Sequence, residues 1–357
     1  MKHYYFSALA LLAVAFSYGQ CPPAGLNITS QAQLNAFLVD YPNCTQINGD
    51  VIIDEANITN LNALANIVTI TGALEIREVP ALANLNGLQN LQTVGTDLIL
   101  REVEGLSTLA ALSSLTSVGG EFTVRSCPDL VEFNGVNNLM HVGLGMIIRD
   151  CESLTSIEGL SNLTFVGEIL EVVENPVLTN LMGLENIMTI VGGEEGALVI
   201  EGNAMLTSLE GLGNAYTVMT GDVTIAANGL LSLCAVPSIC SYLQNPSAGA
   251  LITINTNLLG CNSQAEVETA CTVLDTDYFT ETVVPFRIMQ NPVKDVLQLH
   301  STEANGTVVI YDALGRKVGT YNLQKGIHAY SVENASGLLI VVVESGEYKQ
   351  AFKVLKP

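Results

Sequence analysis

The 357-residue chain contains no tryptophan and only four histidines. Lysine and arginine total 13 against 35 aspartates and glutamates, a formal net charge of −22, and no lysine lies between residues 20 and 285. A surface this acidic repels phosphate backbones and anionic headgroups, which argues against nucleic acid and against direct adsorption to membranes. Enzyme signatures are missing as well: there is no GxSxG, HExxH or phosphate loop. A β-helical polysaccharide lyase needs a base and cationic help at one cleft, and lysine-free repeats supply neither readily. Carboxylates are so numerous that no pair is singled out for a glycosidase. No two cysteines have CxxC spacing, so neither a zinc site nor a cofactor is expected.

Long apolar runs are confined to the N-terminus, MKHYYFSALALLAVAFSYGQC. Lys2 and His3 precede an apolar stretch from Phe6 to Phe16, followed by small residues at Ser17 and Gly19. This pattern predicts a secretory signal peptide over 1–19, too short to be a stable membrane span. Acylation of Cys21 is disfavoured by the bulky Gln20 before it. No membrane insertion is expected of the mature chain. Its eight cysteines, an even number in an exported protein, point to disulfides.

A repeat is present throughout the middle of the chain. Leu61, Leu85, Leu109, Phe133, Ile157 and Leu181 are 24 residues apart; Leu209 follows after 28, across VGGEEG at 191–196, and Leu233 after 24. A period of this size signals a solenoid. Within a unit, Leu74-Glu75-Ile76-Arg77 alternates as a half-buried strand should, and glycine recurs at Gly87, Gly135, Gly159, Gly183 and Gly211. Asn66, Asn90, Asn138, Asn162, Asn186 and Asn214 form a column with Ser114 in the remaining place. Such a column suits an asparagine ladder between rungs about 4.8 Å apart. The reading is an all-β chain: a right-handed β-helix or leucine-rich-repeat-like solenoid, roughly 40 Å long for eight to nine rungs.

The unit G-x-L-x-I…L-x-x-L-x-G-L-x-N-L-x-x-V-G resembles the receptor L domain, the β-helical module of growth-factor receptors and fungal wall proteins. The opening CPPAGLNITSQAQLNAFLVDYPNCTQINGDVII is similar to that family's cap, a cysteine-bracketed helix leading into the first strand. The resemblance covers residues 20–271. It implies non-catalytic recognition of a protein or glycan on an exposed sheet, and a Cys21–Cys44 staple on the cap.

Residues 272–284 match no column and read as a linker. Over 285–357 short alternating strands with turn signals predict a small β-sandwich, which holds eight of the thirteen basic residues. Asn291-Pro292, then Tyr311-Asp312-x-x-Gly315-Arg316 and a lysine-rich end with Lys353 and Lys356, resemble the type A sorting domain of type IX secretion. That resemblance implies the type IX secretion machinery as a partner, passage through a Gram-negative outer membrane, and a surface or extracellular destination.

Within the repeats the only basic residues are Arg77, Arg101, Arg125 and Arg149, one column at period 24. They face outward if Leu74 and Ile76 face inward. Nearby Glu75, Glu78, Glu102 and Asp150 could make this a surface ion-pair ladder. The other reading is a docking strip for an acidic partner, because arginine forks suit carboxylates and sulfates, with Ile99 and Ile147 adding exposed apolar area. Cys127 and Cys151 share a column one rung apart, which predicts a crosslink between neighbouring rungs; the alternative is two buried free thiols. Cys234, Cys240, Cys261 and Cys271 would close the far end in any of three pairings. The expectation is an exported, surface-displayed or released recognition and adhesion protein; the alternative is a β-helical glycosidase or lyase.

Overall fold

Strands such as Leu74–Arg77 bury their first and third side chains and leave the second and fourth half-buried or exposed. The pattern recurs, and the computed structural model pairs these strands side by side. It describes residues 21–22, 24–54, 57–193, 196–213, 217–278, 286–288, 293–301, 303, 305–312, 316–333, 335–346 and 348–356. The expected signal peptide, Asn214, Asn291, Pro292 and Gly315 lie outside them. The chain divides into two units, Met1–Leu274 and Asp275–Pro357.

In the first unit, ten parallel strands from Leu26–Ile28 to Ile252–Asn255 form a broad sheet, and eight from Gln46–Ile47 to Val218–Thr220 form a narrow one. Successive passes of the chain add one strand to each sheet, a mostly β, solenoid-like arrangement. In-register partners in the broad sheet run Leu74, Leu98, Phe122, Met146, Leu170, Leu198 and Val223. These side chains, with those two residues on in each strand, are buried in one continuous core.

Helix Gln31–Asp40 covers the first end. Ser30 caps it, accepting from the Gln33 backbone N–H, while the Gln33 side chain accepts from Thr29 N, one residue before the N-cap that a capping box would engage. Cys21–Cys44 ties this cap down. At the other end, helices Pro237–Gln244 and Gln264–Tyr278 are held by Cys234–Cys261 and Cys240–Cys271. The second helix continues past Cys271 to Tyr278, into the stretch read from sequence as linker. Ser263 accepts from the Glu266 N–H at its start, and the Cys271 disulfide pins it midway.

The corner column of asparagines is not an amide-to-amide ladder. Asn162 Nδ2 donates to the Asn137 backbone carbonyl at 2.6 Å, and Asn90, Asn138 and Asn186 likewise reach carbonyls of the preceding rung. These side chains are exposed. The buried amide ladder lies elsewhere: Asn175 Nδ2 donates to Asn203 Oδ1, Asn203 to Asn228, and Asn228 to Asn257.

That ladder continues a column that begins Val79, Val103, Cys127, Cys151. Contrary to the expected crosslink, both cysteines are free and buried. In-register side chains run parallel, so their Cβ atoms stay near the rung spacing of about 4.8 Å, beyond the roughly 3.5–4.5 Å of a disulfide. Each thiol donates instead to a carbonyl two residues back, Cys127 to Arg125 O at 3.5 Å and Cys151 to Arg149 O at 3.4 Å. Burial pushes their pKa values up to about 11 and about 12.

The second unit contains a three-stranded and a four-stranded antiparallel sheet sharing a separate apolar cluster around Phe286, Leu299, Ile310 and Val341.

Candidate functional site

The outward face of the broad sheet carries two rows, from the second and fourth positions of each strand. The fourth-position row places Asp54, Arg77, Arg101, Arg125, Arg149 and Val173 next to one another in register. The four arginines are therefore brought together on adjacent strands. Like charges so close require counterions, and the sheet supplies them. Arg77 donates to Asp54 at 3.0 Å and to Glu75 at 3.2 Å. Arg101 lies 3.4 Å from Glu78 and 3.5 Å from Glu102. Arg149 lies 3.2 Å from Glu171, 3.6 Å from Asp150 and 4.0 Å from Glu174. Arg125 has the thinnest company, one contact to Asp150 at 3.6 Å, and its side chain is 50% exposed.

Immediately after each broad strand from Leu74–Arg77 to Leu170–Val173 the backbone turns left-handed. Glu78, Glu102, Ser126, Asp150 and Glu174 all have φ between 53° and 56°, a conformation that side-chain-bearing residues adopt at some cost. The turn points these acids along the rim beside the guanidiniums. Asp150 and Glu174 meet across one rung, and the hydrogen bond and negative charge of Asp150 hold the Glu174 carboxyl above the usual carboxylate range. Sequence reasoning placed Glu75, Glu78, Glu102 and Asp150 near the arginines but missed Asp54, Glu171 and Glu174, which join from neighbouring rungs at the same period.

Ile99 and Ile147 do lie on this face but are half-buried rather than exposed. Ile99 stands between Glu75 and Thr123, and Ile147 between Thr123 and Glu171, so their neighbours cover them. His141 is exposed on the narrow sheet, its ring stacked on Phe165 at 4.5 Å.

Residues 43–121 match the family model of the Receptor L domain. The match covers Arg77 and Arg101; Arg125 and Arg149 continue the same row beyond it. Among curated proteins none matches the chain. Among the described residues, no helix is long and apolar enough to cross a membrane.

In the second unit, Tyr311 and Asp312 end strand Gly306–Asp312. Asp312 accepts from Arg316 N at 2.9 Å and Arg316 Nε at 2.7 Å. Lys356 is buried: its ammonium donates to the carbonyls of Val332 and Glu333 and lies 3.6 Å from Asp295. Lys353 sits opposite Ile340 in the last strand pair.

Proposed function

We propose that this chain is an exported recognition or adhesion protein, displayed on the cell surface or released, that binds a protein or glycan ligand on the outward face of its broad sheet. The observation that carries the reading is the row of four arginines on adjacent strands of a sheet whose opening rungs match a ligand-binding, non-catalytic domain family. The row offers alternating guanidinium and carboxylate groups held in fixed geometry, suited to hydroxyls or to a partner's own charges. Arg125, the most exposed, is the natural point of entry for an anionic group. Three disulfides and the Receptor L match support an extracellular or surface location. The second unit is read as a small β-sandwich and type IX sorting tail on its Tyr-Asp-x-x-Gly-Arg sequence and lysine-bearing last strand.

Replacing Arg125 and Arg149 together with glutamine tests this. Each exposed ion pair contributes at most about 1 kcal/mol, so the variant should fold. Its glycan-array or pull-down signal should fall sharply, and wild-type binding should weaken with added salt. Full binding by the variant would move the ligand off this face. A reducing-sugar assay on array hits would reveal a β-helical carbohydrase instead.

A further inference from the structure

A second surface lies beyond the broad-sheet face and shares no residue with the arginine row. Two residues past the buried amide ladder of Asn175, Asn203, Asn228 and Asn257 stand Val177, Met205, Leu230 and Leu259. They are 38%, 47%, 42% and 81% exposed. The ladder's hydrogen bonds set these rungs in sequence on one side, and Thr207 N to Thr179 O and Ser232 N to Thr207 O do so on the other. In the earlier rungs the same positions hold Ala81, Gly105, Asp129 and Ser153, all small or polar. The stripe is thus specific to the last four rungs. It runs into a cavity of about 460 Å³ lined by Leu259, Gly260, Ala265 and Thr269 among others.

We propose that this stripe is a docking surface for a cationic amphipathic helix of a partner protein. Charge selects the partner. Glu152, Glu201 and Glu268 are exposed around or near the stripe, and no lysine or arginine occurs between Asp150 and Phe286. Two copies of this chain would bring like-charged rims together, whereas a lysine-rimmed partner would neutralise them. Spacing selects a helix. Rungs recur about every 4.8 Å, close to the roughly 5–6 Å between i and i+3 or i+4 side chains on a helix. An extended strand presents same-face side chains nearly 7 Å apart. Four apolar rungs match the i, i+4, i+7, i+11 anchors of a helix laid in a groove.

The probe is a fluorescent leucine/lysine peptide with leucines at helix spacing, compared with a scrambled peptide of the same composition and a leucine/glutamate isomer. With the full chain, the helical leucine/lysine peptide should bind, the other two at least about tenfold more weakly. Met205→Ser/Leu230→Ser, and separately Leu259→Ser, should each weaken binding, the double variant by at least about tenfold. These residues are exposed, and an unchanged melting temperature would show that the fold persists. Undiminished binding by the double variant, or equal binding of the scrambled peptide, would overturn the proposal. Self-association of the wild-type chain in sedimentation, abolished by Met205→Ser/Leu230→Ser, would overturn it in favour of a second copy.

Discussion

A single inward column shows how one geometry serves three kinds of side chain. Valine fills it first, then two thiols, then four asparagines whose amides bond along the stack. The thiols should resist alkylation in the native protein and react at once in denaturant, with peptide mapping recovering both Cys127 and Cys151 unpaired. Because their folded pKa values exceed the ordinary thiol value of 9.0, the native state binds more protons than the unfolded one above that pH. Stability should therefore be unaffected by these groups below pH 9 and fall as pH rises from there towards about 11 to 12. Replacing both by alanine should flatten that fall in melting temperature. Asn203 accepts from Asn175 and donates to Val172, Glu201 and Asn228 within the core. Asn203→Ala leaves several buried groups unpaired at roughly 1–3 kcal/mol each, whereas exposed Asn162→Ala should cost only about 1 kcal/mol. Denaturant midpoints of the two variants would rank them.

At the scale of the element, the glycine column conceals an alternation. Turns at Asn62–Leu64, Ala110–Leu112, Glu158–Leu160 and Glu210–Leu212 are short 3₁₀ helices. The intervening rungs instead have Gly87, Gly135 and Gly183 at φ of 111° to 117°. In these the glycine N–H is taken by a side chain two residues on, Gln89, Asn137 or Glu185; the 3₁₀ turns have Ala65, Ser113, Ser161 and Gly213 there. A Cβ on Gly135 would stand 2.2 Å from the Leu109 carbonyl oxygen. Gly135→Ala should thus cost roughly 1–3 kcal/mol or more, measurable by thermal melting, while Ala111→Gly should cost no more than about 1 kcal/mol. Strand alternation, the arginine row and the capping helix were legible because they repeat at one interval or carry local signals. The buried asparagines were not, because insertions space them 28, 25 and 29 residues apart. Nor could the sequence choose among the last four cysteines, whose partners depend on where two helices settle. The burial of Ile99 depends on the reach of side chains from other rungs, which a column of letters does not show.

Across the whole molecule, charge and cysteine are partitioned. All six disulfide-bonded cysteines lie in the first unit, which has its own core, and the second unit has another. If the second unit is the proposed sorting tail, deleting residues 285–357 should leave the repeats folded but held in the periplasm; the deleted form appearing outside the cell at wild-type levels would show that the tail is not an export signal. The alternating turns also bear on how such a chain can change length. Loss of one rung would set two turns of the same kind side by side, either two positive-φ glycines, each keeping its own side-chain acceptor, or two 3₁₀ turns in succession. Loss or gain of two neighbouring rungs restores the order. The smallest stretch of gene that can be duplicated or deleted without breaking the alternation therefore encodes a pair of rungs.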